Sequence, residues 1–331
     1  MLEVLEPGFL STVQDRGRRG STDLGVPVGG ACDTWSMAVA NLLAGNDPGD
    51  AVLEITVAGP ELVVLRRCVI ALAGADLGAH VIEEARPIAP GTAHLVHPGT
   101  HIGFGRGEGD RGARAYLAVA GGIDVPPVLG SRATSLAGAF GGIDGRPLRR
   151  GDRIVPGRPD DVSAAGRSWP AGIPLRPAGE SVGLLPAPRS LARPVPRAYE
   201  AVLATPWRIA PASDRQGLRL EGPALPVDAR AAGVLLSRGV IPGAVQVPLG
   251  GSPIVLLADA QTVGGYPVAG VVPAADLPIL AQLRLGASLR FAATTIADAQ
   301  AARRAQRTSL LEAARFLAAT EDWHAIAEGM A

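Results

Sequence analysis

Short apolar runs separated by Gly, Pro and polar turns dominate this chain, and they predict strands far more than helices. Residues 2–5 and 9–13 read as strands around the turn Glu6-Pro7-Gly8. From Val52 to Ile154 the pattern recurs at close spacing, predicting antiparallel strands at Val52–Val57, Leu62–Leu65, Val69–Leu72, His94–Val96 and Ala115–Val119. A second series is predicted at Trp207–Ala210, Gly233–Leu236, Ala244–Val247, Ile254–Ala258, Val268–Val272 and Ser288–Phe291. Two segments have helical spacing instead. Asp33 to Leu43 carries Met37, Ala40 and Leu43 on one face, with Asp33 as N-cap and Gly45-Asn46 as the stop. Residues 297–319 are Ala-rich with Leu310, Leu311, Ala314 and Leu317 on one face, and Asp322–Ala331 reads as a frayed end. Residues 156–197, rich in Pro, Ala and Arg, read as a surface connection holding one apolar run, Val182–Leu185.

The two series echo each other in order. Gln14-Asp-Arg-Gly-Arg18 resembles Ser213-Asp-Arg-Gln-Gly217, Leu24-Gly-Val-Pro27 resembles Gly239-Val-Ile-Pro242, and Leu148–Ile154 resembles Leu283–Leu289. The expected fold is mainly β with minor α: two β-barrel-type lobes with short helices. Residues 1–180 are expected to form an N-terminal lobe that includes the Pro/Arg-rich connection. Residues 181–296 would form a C-terminal lobe, and 297–331 a helical tail.

Composition narrows the chemistry. With 43 Gly and 29 Pro in 331 residues, turns are frequent, and with aromatics at 4% the core must be built from Val, Leu, Ile and Ala. Acidic and basic residues balance at 31 each without a basic stripe, so no nucleic-acid partner is expected. No apolar run is long enough for a membrane span, and Met1-Leu-Glu-Val-Leu-Glu is not a signal peptide, so the expected location is cytoplasmic. Cys32 and Cys68 read as small buried thiols. Every basic residue is Arg. That removes a Walker A loop, Schiff-base chemistry and any covalently attached biotin or lipoyl group.

Candidate chemistry clusters at strand ends. Asp259-Ala-Gln-Thr-Val-Gly-Gly-Tyr-Pro267 places Asp259, Gln261, Thr262 and Tyr266 after an apolar run, with Gly264-Gly265 allowing close backbone approach. Gln14-Asp15-Arg16 reads as its counterpart in a two-part pocket. Asp15-Arg16 and Asp214-Arg215 are either anion forks or turns in which Asp caps backbone N–H groups. Glu54 and Asp76 are lone acids, either acid/base groups or strand-end caps. Arg132, with Gly138-Ala-Phe-Gly-Gly142 behind it, is either an anion-binding loop or a long turn. His94, His97 and His101 have suggestive spacing, but Pro98-Gly99 breaks any helix there, so no metal is expected. Gly107-Glu-Gly-Asp-Arg-Gly112 matches Gly-x-Gly-x-x-Gly without the strand–turn–helix context of a nucleotide site.

Read together, Pro7–Arg18, Gly25-Val-Pro-Val-Gly-Gly-Ala31, Leu53-Glu-Ile55, Ala73-Gly-Ala-Asp76, Tyr116–Gly122, Gly239–Pro248 and Asp259–Pro267 resemble the KipA family. Its members include the C component of the bacterial ATP-dependent 5-oxoprolinase and allophanate hydrolase subunit 2, and the carboxyltransferase region of urea carboxylase is related. The resemblance covers about residues 2–291. It implies a cyclophilin-like, β-barrel-containing fold and two further components. One is KipI-like, fused to this chain or joined to it as a heterotetramer, and the other is of LamB/YcsF type. It implies opening of the 5-oxoproline ring to glutamate, with ATP acting through the complex. A second implied reaction is transfer from carboxybiotin, carried on another protein, to urea or a related amide. A third implied role is a non-catalytic regulator that binds the KipI-like protein. On this reading Asp15, Asp259, Gln261 and Thr262 are catalytic. Gln14, Arg16, Arg132, Asp214, Arg215, Gly264, Gly265 and Tyr266 bind substrate or anion, and no metal is held. The family's usual Asp-Arg-Gln-Thr-Thr-Gly-Gly-Tyr becomes Asp259-Ala-Gln-Thr-Val-Gly-Gly-Tyr266 here, and losing that Arg implies a pocket that holds anions less well.

Overall fold

The computed structural model describes residues 1–105, 112–158, 160–175, 179, 181–187, 195, 197–228 and 235–328, with side chains as far as 319. Residues 107–111 of the Gly-x-Gly-x-x-Gly match, and Gly233 and Val234 at the start of one predicted strand, lie outside the described residues. The chain divides into two compact units: residues 1–18, 33–177 and 307–331 form the first, and residues 19–32 and 178–306 the second.

The first unit holds β1 (Leu2–Glu6), β2 (Leu10–Gln14), helix α1 (Thr34–Leu43), β3 (Val52–Thr56), β4 (Glu61–Val64) and β5 (Cys68–Gly74). It continues with β6 (His80–Val81), β7 (Arg86–Pro87), β8 (Ala93–Val96), β9 (His101–Gly103), β10 (Arg114–Val119) and β11 (Arg153–Ile154). They build two antiparallel sheets, ordered β11-β1-β4-β9-β6-β7 and β2-β3-β10-β5-β8. Alternate residues of both sheets, among them Leu2, Val4, Leu53, Ile55, Leu62, Ile70, Leu72 and Leu117, make one apolar core. Every residue of β5 and β10 is buried, because α1 covers the face turned away from that core. The predicted cap holds: the Asp33 carboxylate accepts from the Ser36 N–H at 2.9 Å.

The second unit holds β12 (Val182–Pro186), α2 (Ala198–Ala204), β13 (Trp207–Ile209), β14 (Gly217–Glu221), β15 (Arg238–Gly239) and β16 (Ala244–Gln246). It continues with β17 (Ile254–Leu256), β18 (Val263–Gly264), β19 (Val268–Val271), α3 (Leu277–Ala281), β20 (Ser288–Leu289) and β21 (Phe291–Ala293). Eight of these strands form one sheet, ordered β20-β13-β14-β17-β16-β19-β12-β21, and β15 pairs with β18 separately. β20 and β21 are one residue apart in the chain yet occupy opposite edges, so the sheet must curl into a nearly closed barrel. The break falls at exposed Arg290, which splits the single strand predicted over Ser288–Phe291.

Two further expectations change. Val182–Leu185 is a strand of the barrel and not part of a surface connection; Val182 and Leu184 point into the core with the period of two that a strand requires. Helix α4 (Ile296–Glu328) continues through the segment expected to fray. Its buried strip contains Ala313 and Leu317, while Leu311, placed on that face by periodicity, is half exposed. The fold is mainly β with minor α, as the pattern predicts.

Candidate functional site

The expected site residues divide between the units. In the first, β2 ends at buried Gln14, whose Nε2 donates to Thr12 Oγ1 at 3.0 Å and to the Thr134 carbonyl at 3.3 Å. The Asp15 carboxylate accepts from the Gly17 N–H at 2.7 Å and from Ser131 Oγ and the Arg132 N–H at 2.6 Å each. Three donors thus fix its position and satisfy its charge. Exposed Arg16 lies across Gly49, where a Cβ would overlap its guanidinium. The Arg132 guanidinium faces Asp124 at 3.5 Å. In the loop behind it, the Gly138 N–H donates to Ser135 Oγ and the Gly142 N–H to the Arg132 carbonyl. Buried Arg18 donates to the Ala133 carbonyl and stacks 4.8 Å above the Phe140 ring. The Gly138 and Gly142 N–H groups thus close the loop itself, beside a buried arginine that the sequence did not single out.

Glu54 is buried on β3, accepts from the Tyr116 hydroxyl at 2.8 Å and lies 3.8 Å from the Arg114 Nε. The same hydroxyl accepts from the Asp33 N–H at 2.8 Å, which ties the start of α1 to the sheet. Asp76 accepts from the Gly78 N–H at 3.0 Å, the cap its position allowed. Burial pushes His94 below the usual imidazole range, and its Nε2 lies 2.6 Å from Thr92 Oγ1. Among the described residues no group of His, Cys, Asp and Glu is arranged to hold a metal ion.

In the second unit the Asp214-Arg215 pair splits into two roles. Asp214 accepts from the Gln216 N–H at 2.8 Å and the Gly217 N–H at 3.2 Å, closing the turn before β14. Asp15 closes the same kind of turn in the first unit, so the sequence echo has a physical basis in local backbone geometry. Arg215 is buried and grips Asp259 with two bonds, Nε to Oδ2 at 2.8 Å and Nη2 to Oδ1 at 3.0 Å. It also donates to the Gly30 carbonyl at 2.7 Å and approaches Cys32 Sγ at 3.3 Å. A bidentate fork of this kind fixes Asp259, and with it the start of the polar segment.

The polar segment itself borders a cleft of about 300 Å³. Its lining includes Arg219, Gln246, Ile254, Leu256, Gln261 and Tyr266. The Gln261 Nε2 donates to Gln246 Oε1 at 3.1 Å. Gly264 packs closely against the Gln246 amide: a Cβ there would lie 2.6 Å from Gln246 Nε2, which would have to shift. β18 pairs with β15, and beside it the Thr262 carbonyl accepts from the Val240 N–H at 2.9 Å. Ala260 does not line the cleft; it packs with Ala244, Leu256 and Val268 in a small apolar cluster. Gln246 is the residue that sequence reasoning missed. The available signal was an amide inside the otherwise apolar stretch Ala244-Val-Gln-Val247.

The family described as carboxyltransferase domain, subdomain A and B, matches residues 24–293. The C component of Escherichia coli 5-oxoprolinase is 37% identical over 93% of this chain and 96% of that protein. Urea amidolyase of Lachancea kluyveri is 32% identical over 87% of this chain but 17% of its own length. Among solved structures, TTHA0988 superposes with a TM-score of 0.76 at 38% identity over 88% of this chain and 56% of that one. Kluyveromyces lactis urea carboxylase superposes with a TM-score of 0.83 at 29% identity over 93% of this chain. The chain spans 29% of that enzyme's length, matching one region of a longer protein.

Proposed function

The chain belongs to the carboxyltransferase domain family, subdomain A and B, and from that premise we propose that it serves as the C component of a 5-oxoprolinase-type enzyme. The observation that carries the proposal is the full-length match: 37% identity over 96% of the Escherichia coli protein, against a match to 17% of urea amidolyase. In this reading the chain works with a KipI-like component and a LamB/YcsF-type component, and the complex opens the lactam ring of 5-oxoproline to glutamate. The second-unit cleft takes the small amide. Gln261 and Tyr266 line it, while the Arg215–Asp259 fork holds the start of that segment in place. Asp15 and Arg16, with Arg132 and Gln14, are the first unit's own polar cluster. The cleft volume of about 300 Å³ is at the small end of ligand sites and suits an amide of a few heavy atoms. It does not suit a nucleoside triphosphate, and the chain has no lysine for a phosphate loop. ATP is thus handled elsewhere in the complex, and no step on this chain is routed through it.

The test is reconstitution. The chain, mixed with its KipI-like and LamB/YcsF-type partners and ATP, is expected to release phosphate in proportion to 5-oxoproline turned over. Gln261→Ala is expected to raise KM for 5-oxoproline. Phosphate release indifferent to 5-oxoproline would sink the proposal. The family's description favours one alternative, carboxyl transfer from carboxybiotin on another protein to urea or a related amide. Urea-dependent decarboxylation of a carboxylated biotin carrier would select it.

A further inference from the structure

The hairpin that joins β13 to β14 brings two opposite charges to the second-unit cleft and leaves them apart. Leu218 and Leu220 of β14 point into the barrel core, so Gly217 and Arg219 face the other side of the sheet, where the cleft lies. Gly217 pairs with Leu256 and Arg219 with Ile254, and Gly217 brings no side chain over the apolar surface of Leu256. Arg219 is exposed, yet the hairpin holds it at two points. Its backbone N–H donates to Ser213 Oγ at 3.0 Å and its Nε to the Ala212 carbonyl at 3.1 Å. Its two Nη groups have no partner among the described residues. Asp214, exposed in the same hairpin, uses Oδ1 for the Gln216 and Gly217 N–H groups and leaves Oδ2 without a partner among the described residues. The two side chains line one cleft, and no ion pair joins them.

We infer that this end of the cleft recognises a carboxylate with an N–H beside it, Arg219 taking the carboxylate through its Nη groups and Asp214 Oδ2 accepting from the N–H. This rests on the proposed amide substrate and deepens it. 5-Oxoproline carries its lactam N–H and its carboxylate on one carbon, and its ring methylenes suit the apolar surface of Ile254 and Leu256. Urea has N–H groups and no carboxylate, so it answers Asp214 alone. A simple anion answers Arg219 alone and is repelled by Asp214.

The experiment titrates the full chain at constant low ionic strength and follows the Arg219 Nε–H signal by NMR, assigned by its loss in Arg219→Gln. Three probes take the ligand apart: cyclopentanecarboxylate has the anion, 2-pyrrolidinone has the lactam, and 5-oxoproline has both on one ring. Saturable movement of the signal is expected with 5-oxoproline and, at higher concentration, with cyclopentanecarboxylate. Arg219→Gln is expected to weaken 5-oxoproline by about tenfold, the low end for a hydrogen bond to a charged group, and to leave 2-pyrrolidinone unchanged. Asp214→Asn keeps an oxygen for the turn and removes the charge. It is expected to weaken 5-oxoproline and to tighten cyclopentanecarboxylate, opposite signs that a loss of local structure would not produce. Arg219→Gln that binds 5-oxoproline as well as the parent overturns the inference. So does an Arg219 signal that stays still at probe concentrations well past the millimolar range, and one that moves as readily with chloride or phosphate as with 5-oxoproline. The two proposals fail separately. If Arg219 answers to 5-oxoproline but the reconstituted complex releases phosphate without regard to it, the proposed function falls and this assignment stands. Coupled turnover that Arg219→Gln leaves unchanged removes this assignment alone.

Discussion

At the residue scale, one charged motif serves architecture. Arg215 and Asp259 are 44 positions apart, and in isolation each has the chemistry of an anion or amide binder. Joined by two bonds in a buried setting, they neutralise each other and peg the start of the polar segment that borders the cleft. Removing Asp259 takes the counter-charge away from buried Arg215. Asp259→Asn is therefore expected to cost about 3–5 kcal/mol of stability, read by chemical denaturation. A loss under about 1 kcal/mol would mean that water reaches the guanidinium and the pair is not a peg. Sequence made Asp259 conspicuous but could not say that Arg215, itself bonded to Gly30 and close to Cys32, would grip it. It passed over Gln246, because an amide in an apolar strand is informative only once its hydrogen bonds can be counted.

At the scale of elements, periodicity served strands well where both flanking turns were clear. It failed where composition misled, as at β12, whose alternating Val182 and Leu184 sit in a Pro-rich neighbourhood. Helix α4 shows the limit of a helical wheel. Leu310, Leu311, Ala314 and Leu317 share one face by spacing, yet Leu317 is 2% exposed and Leu311 50%. The real contact strip is narrower than the apolar stripe. Leu317→Ala is expected to destabilise by about 2–5 kcal/mol, the range for a core leucine. Leu311→Ala should change stability by no more than about 0.5 kcal/mol, as an exposed position does. Equal effects from the two substitutions would contradict the placement of this helix.

At the scale of the whole molecule, the pH dependence of stability should report a buried-edge ion pair. Arg146 donates to both Asp152 oxygens, at 2.7 and 2.9 Å, and the Arg149 N–H adds a third bond at 2.7 Å. The hydrogen bond from Arg146, opposed in part by burial, holds the Asp152 carboxyl below its usual range. A carboxyl depressed in the folded state stabilises above its unfolded value of 3.8 and loses that contribution as pH falls through the lower folded value. Asp152→Asn is expected to cost about 1–2 kcal/mol at neutral pH. Its stability and the parent's should converge as pH drops below 3.8. A gap that stays constant into that acid range would show that the pair contributes through packing and not through charge. No helix among the described residues is long and apolar enough to cross a membrane, which agrees with the absence of a long apolar run in the sequence.

The sequence by itself determined the mainly β class, the capped helix α1, the absence of lysine chemistry and the family resemblance. Each of these is carried by near neighbours along the chain or by counting residues. Tertiary structure alone decided which polar groups are used up and which remain. Asp15, Asp214 and Arg132 look alike on paper as candidate binders, but what each binds depends on groups that folding brings from elsewhere. Hydrogen bonds have short reach and strict direction, so a donor's fate is settled only when the strand opposite it is in place. The polar segment at Asp259–Pro267 was visible from the sequence; the bond from Gln261 to Gln246 that ties it to β16 was not.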